Sequence, residues 1–184
     1  MPRIPPIFSP DHCPEDADAA TRADIADFFE TLFPGKEPPQ IDTGHTGMAL
    51  AAHSPKFAAS LSRLTRSAVL EMAWCERRDL AELAVQAVNI HFDSGFSFET
   101  RMGNAEATGL GMDRLAALPV WRTSSLFDEE QRLVLEYVEA AVTGRVPDDV
   151  FEKVRARYGD KGTVELTALV GTFSLWAMLI NATL

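Results

Sequence analysis

Glu82–Gly109 reads ELAVQAVNIHFDSGFSFETRMGNAEATG and divides into two helical runs around a break. The upstream run begins near Glu76 and carries Leu80, Leu83, Ala84, Ala87 and Val88 at three- and four-residue spacing. That period sets them on one face of a helix that ends at His91. Asp93, Ser94 and Gly95 then interrupt it, because short polar side chains compete with helical hydrogen bonds and glycine loosens the backbone. The downstream run predicts a second helix from Phe96 to Thr108. Gly109 closes it, since glycine suits the left-handed residue that follows a helix.

Working outward, Ile25, Phe28, Phe29 and Leu32 give Asp16–Phe33 a helical period that Pro34 and Gly35 stop. Residues 34–46 read as a loop rich in proline and glycine. Ser54 with Pro55 marks a helix start, and Phe57, Leu61, Leu64, Ala68 and Met72 mark one face of the helix. Asp128 with Gln131 resembles a capping box ahead of Leu133, Val134, Tyr137, Val138 and Ala141, with Gly144 as the stop. Pro147 and Asp148 start a short helix that stops near Gly159, and Gly162-Thr163 starts the last, apolar helix. Residues 1–15 hold Pro2, Pro5, Pro6, Pro10 and Pro14 and predict an extended arm. There is no alternating strand pattern of useful length and no internal repeat. The expected fold class is therefore all-α: a helical bundle in a single domain over residues 16–184, preceded by the arm.

Composition narrows the function. The chain has 184 residues, 46% hydrophobic and 24% charged, which is ordinary for a globular domain and excludes a disordered or collagenous chain. Lys and Arg total 17 against 27 Asp and Glu, a formal net charge of −10. Such a chain repels phosphate backbones and anionic lipid, so neither nucleic acid nor a membrane is an expected partner. Cys13 and Cys75 form no C-x-x-C, and His12, His45 and His53 lie apart with no ligand spacing, so no metal and no cofactor is expected. The opening MPRIPPIFSP lacks the apolar core of a secretory signal. Leu166–Leu184 is uncharged, but Thr167, Gly171, Thr172, Ser174, Asn181 and Thr183 interrupt it, which favours a buried core helix over a membrane anchor. The expected location is the cytoplasm.

The segment 82–109 resembles the carboxymuconolactone decarboxylase family, which includes the alkylhydroperoxidase D-like (AhpD-like) proteins. One branch carries an acid, then a His-Trp pair, then Tyr-Glu-Trp, then a His. Without a gap, Glu82 matches the acid, His91-Phe92 the His-Trp pair, Phe96-Ser97-Phe98 the Tyr-Glu-Trp, and Arg101 the final His. Gly109 matches the glycine that closes that helix. The resemblance runs over about residues 48–184. It takes in HSPKFAASLSRL as a shifted His-Pro helix start, Gly171-Thr172-Phe173 in place of Gly-Tyr-Tyr, and Asn181. It implies an AhpD-like helical bundle, and homo-oligomers such as dimers, trimers or hexamers.

The departures bear on chemistry. Peroxidase members use two thiols where this chain has Ser94 and Ser97, and a hydroxyl pair is not a redox couple. Arg101 stays charged near neutral pH and cannot be a general base. Thiol peroxidase activity is therefore not expected. Glu82, His91, Ser97 and Arg101 remain as candidates. On one continuous helix Ser97 and Arg101 share a face, with Phe92, Phe96 and Phe98 as pocket walls. Arg101 can clamp a carboxylate, and His91 can move a proton near neutral pH.

Two functions stand open. One is a non-redox lyase or decarboxylase acting on a small carboxylated lactone or ketoacid of aromatic-compound catabolism, with His91, Glu82 and Arg101 catalytic. The other is a non-catalytic binding or structural protein that lost the peroxidase chemistry. In the second case Glu82 and Arg101 are a buried salt bridge, His91 and Ser94 cap helices, the phenylalanines are core and Cys75 is inert. The expected partners are a small anionic organic molecule and further copies of the chain. The copies are expected to meet through the apolar helices near the 82–109 motif and the C-terminus, where Leu169, Phe173, Trp176 and Ile180 form one stripe and Leu175, Leu179 and Ala182 another.

Overall fold

The computed structural model describes residues 2–184, and the regular elements among them are all helical. The chain divides into two compact units.

The first unit takes the residues up to Arg66 together with Leu179–Leu184. Its helices are α1 (Ala19–Leu32), α2 (Thr46–Ala51) and α3 (Pro55–Arg66), and both α1 and α2 pack on α3. Asp18 caps α1 by accepting the Thr21 N–H at 2.7 Å, and Ile25, Phe28 and Phe29 turn inward as their spacing requires. α3 opens at Pro55 as expected and buries Ala58 and Leu61. It gives way at Ser67 to a π-helical turn, Ser67–Glu71, so the face expected to continue to Met72 ends early. α2 had no sequence forecast, since six residues are too few to display a helical period.

The expected extended arm is extended only in part and lies along its own chain. Ile7 is 1% exposed and donates its N–H to the Ala49 carbonyl at 2.9 Å, while the Phe8 carbonyl accepts from Ile41 at 2.8 Å. A 3₁₀ turn, Pro10–His12, follows. Met1 lies outside the described residues.

The second unit is Ser67–Met178. It holds α4 (Arg78–His91), α5 (Gly95–Thr100), α6 (Met102–Ala107), α7 (Met112–Ala117), a 3₁₀ turn (Leu118–Val120), α8 (Glu129–Ala141) and most of α9 (Asp148–Thr183). α4 and α8 lie side by side, and α5, α6 and the 3₁₀ turn pack against α4. Leu80, Leu83, Ala84 and Val88 of α4 and Val134, Leu135, Tyr137 and Val138 of α8 are buried between these elements.

The single helix expected over Phe96–Thr108 is broken. Arg101 has φ −98° and ψ 0°, outside helical geometry, and separates α5 from α6. The Thr100 hydroxyl donates to the Phe96 carbonyl at 3.0 Å and to the Ser97 carbonyl at 3.3 Å, competing with the backbone ladder at that point. α9 is also broken, at Gly159, where φ is 71° and ψ 178°. A side chain would be strained there, which is why the sequence reads as two helices. Three residues on, a Cβ at Gly162 would meet the Tyr158 Cβ at 2.6 Å and the Trp74 carbonyl oxygen at 3.1 Å, so α9 passes closer to Trp74 than a side chain allows.

An ion cluster ties α4, α8 and α9 together. The Arg77 guanidinium bonds Asp79 at 2.7 and 3.1 Å, Asp128 at 2.9 Å and Glu130 at 3.1 Å. Gln131 completes the expected capping box with Asp128 and also donates to Asp79 at 3.0 Å. Glu130 accepts from the Tyr158 hydroxyl at 3.0 Å and from Arg157 at 2.7 Å. Burial pushes the Asp79 carboxyl up, but Arg77 and Gln131 outweigh it and hold the group below its usual range. Burial first, and then the Glu130 carboxylate, push the Tyr158 phenol well above its usual range.

α9 is long and apolar enough to cross a membrane by length and composition, with half of that apolar window buried in protein. Leu166, Leu169, Val170, Phe173 and Ala177 form the buried side.

Candidate functional site

Glu82 sits in the second turn of α4 and is 4% exposed, an expensive place for a carboxylate unless it is paired. Arg101, at the break between α5 and α6, supplies the partner. Its Nε donates to Glu82 Oε1 at 3.0 Å and its Nη2 donates to Glu82 Oε2, a two-pronged pairing. The guanidinium carbon also lies 4.8 Å from the centre of the Phe173 ring on α9. The helix break thus turns Arg101 out of the α5 register and onto α4.

The pair lines a cavity of about 420 Å³. Met72, Cys75, Glu76 and Arg78 form part of its wall, and Asn104 of α6 with Thr108 at that helix's C-terminal end form another part. Arg78 is exposed and has no ion partner among the described residues, as is Glu76 close to it. Burial pushes the Cys75 thiol up to about 12, and its Sγ–H donates to the Arg77 carbonyl at 3.2 Å. It remains a thiol rather than a thiolate at neutral pH.

The other sequence candidates do not meet Arg101 here. His91 lines a second cavity with Ala87, Ile90, Leu118, Trp121, Leu135 and Glu139. His91 and Glu82 share one helix but stand nine residues apart, roughly two and a half turns, which points them to opposite faces. Phe92, Phe96 and Phe98 are half-buried and do not line the Arg101 cavity. Ser97 is buried, but α5 ends before Arg101, so the two do not share a helix face. Ser94 does not cap α5 with its side chain; it donates its hydroxyl to Ser97 at 2.9 Å.

Arg78, Asn104 and Thr108 were missing from the sequence candidates. The signal was present: Arg78 stands four residues before Glu82 on α4, and Asn104 of α6 stands four residues before Thr108, which caps that helix. No cluster of three or more metal-ligating side chains occurs among the described residues.

No family model matches the chain. It is 44% identical over 85 residues to the uncharacterized protein YnjA of Escherichia coli, a stretch covering 45% of this chain and 46% of that protein, so it matches less than half of that relative. It is 20% identical over 130 residues to the uncharacterized protein YdfG of Bacillus subtilis, covering 69% of this chain and 84% of the other. A crystal structure from Agrobacterium tumefaciens, described as a protein of unknown function and a candidate AhpD of antioxidant defence, superposes with a TM-score of 0.64. Its sequence identity is 24%, and the match covers 72% of this chain and 91% of that one. The chain has the all-helical AhpD-like fold.

Proposed function

We propose that this chain is a non-redox protein of the AhpD-like fold that binds a small organic carboxylate in the Arg101 cavity. The observation that carries this is the fixed guanidinium. Glu82 holds two nitrogens of Arg101, Phe173 lies beneath it, and the remaining nitrogen, Nη1, has no hydrogen-bond partner among the described residues, while Arg101 itself lines the cavity. Arg78 at the same wall adds an unpaired positive charge, while Glu76 opposes it.

Thiol chemistry of the kind the AhpD name implies has no support in this chain. The positions that resemble the thiol pair are Ser94 and Ser97, bonded to each other. A lyase needs a proton source at the bound molecule. His91 belongs to another cavity, and Glu82 is committed to Arg101. A binding role is therefore better supported than decarboxylation.

The test is a thermal-shift and calorimetric series with benzoate, pyruvate and levulinate, since a bound ligand raises the melting temperature by mass action. Saturable binding of one of them is expected. Arg78→Ala is expected to weaken it about tenfold, the scale of one charge-assisted hydrogen bond, and Glu76→Gln to strengthen it. No binding by any carboxylate overturns the proposal, and carbon dioxide release from a ketoacid would restore the lyase.

A further inference from the structure

We infer that the cavity beside His91 is a second ligand site, for a small uncharged aromatic molecule carrying a hydroxyl group. The cavity measures about 300 Å³ and shares no residue with the Arg101 cavity. An apolar cavity of about 150 Å³ accepts benzene, so this one has room for a substituted ring.

Its walls decide the ligand class. Ala87, Ile90, Leu118 and Leu135 are apolar, and the Trp121 indole supplies a flat aromatic side. That indole is fixed from several directions. Its N–H donates to Glu139 Oε1 at 2.6 Å, and the Arg122 guanidinium carbon lies 4.4 Å from its ring centre. Arg132 of α8 donates to the carbonyls of Trp121 and Arg122 at 3.1 and 3.2 Å, anchoring the backbone on which the ring stands. A wall held this way needs no reorganisation when a ring stacks on it.

The charged groups here are already matched. Glu139 bonds the Trp121 indole through one oxygen and Arg122 through the other, at 2.7 Å. An anionic ligand would face the Glu139 carboxylate, and a cationic one would have to compete with Arg122 for it, so neither finds a free counter-charge. His91 is the lining group with spare hydrogen-bonding capacity: it packs edge-on against Phe92 at 5.0 Å and has no polar partner among the described residues. A neutral imidazole offers one donor and one acceptor, and a hydroxyl can engage either.

The experiment follows the Trp121 indole N–H by nuclear magnetic resonance, assigned with Trp121→Phe, while phenol, toluene, benzoate and benzylammonium are titrated. Phenol is expected to shift that resonance saturably. Toluene, which lacks the hydroxyl, is expected to bind about fivefold more weakly, the scale of one neutral hydrogen bond. The two ions should bind no better than toluene. His91→Ala is expected to reduce phenol to the level of toluene and leave toluene unchanged. Absence of a saturable phenol shift, equal binding of phenol and toluene, tighter binding of either ion, or a phenol affinity unmoved by His91→Ala each overturns the inference.

Discussion

Arg101 gives two hydrogen bonds to Glu82 from a break between helices, one from Nε at 3.0 Å and one from Nη2, while its flat face rests on Phe173. Glu82 is 4% exposed and the Arg101 side chain 20%. A pair this enclosed is sensitive to the loss of one member, because the other is left as an uncompensated buried charge.

Arg101→Ala is accordingly expected to lower unfolding stability by about 3–5 kcal/mol. The double variant Glu82→Leu with Arg101→Leu is expected to be more stable than Arg101→Ala, because it leaves no orphan charge. Urea unfolding of the unsubstituted protein and the two variants measures this. A double variant as unstable as the single one would show that packing around Phe173, rather than charge, dominates.

Acid stability is set partly at the start of α8. Asp79 and Asp128 are both held below the usual aspartate range: burial raises each, but Arg77 and Gln131 outweigh it. A carboxylate lowered in the folded state contributes stability above its unfolded value, and that contribution disappears as pH falls through the folded one. The melting temperature is therefore expected to drop as pH falls below about 4. Asp79→Asn should flatten that part of the profile, at the cost of a lower melting temperature at pH 7. An unchanged acid limb in the variant would remove Asp79 from the account.

Asp128 also caps α8, accepting the Gln131 N–H at 2.8 Å. Asp128→Ala is expected to destabilise the fold by about 1 kcal/mol from the cap, and Asp128→Ser to recover most of that. If Ser restores nothing, the Arg77 contact matters more than the cap.

The Cys75 thiol, pushed up to about 12 by burial, is expected to react with iodoacetamide at pH 8 far more slowly than an unfolded-chain thiol does. Mass spectrometry over time reads the rate in native protein and in urea. Equal rates would mean that the thiol is not protected. The same preparation, and a variant with Cys13→Ala and Cys75→Ala, should fail to reduce an organic hydroperoxide with a dithiol. Turnover that survives both substitutions would defeat the non-redox proposal.

Homo-oligomerisation remains a proposal that α9 supports. Val164 is 68% exposed and Met178 50%, and half of the most apolar stretch of the helix is outside the core. Light scattering at micromolar concentration should give a stable multiple of 20.2 kDa. A mass near one chain would end the proposal.

Sequence alone determined the local grammar of this protein. Apolar residues at helical spacing fix which face of α1, α4 and α8 turns inward, Asp18 and the Asp128–Gln131 pair mark helix starts, and Gly159 marks a break, because these are properties of a few adjacent residues. The positions of Glu82 and Arg101 were also legible, through resemblance. Their pairing was an expectation that only coordinates could turn into distances. Tertiary structure decided the rest. Periodicity orients a face but does not say what packs against it: the nine-residue spacing sends Glu82 and His91 to opposite sides of α4, but it was packing that placed Arg101 and α6 on one side and closed α8 and the Leu118–Val120 turn over the other. The split of α5 from α6 at Arg101, with the gathering of Arg77, Asp79, Asp128, Glu130 and Tyr158 from three helices, depends on groups far apart in the chain. Their meeting is a consequence of packing, which no local pattern encodes.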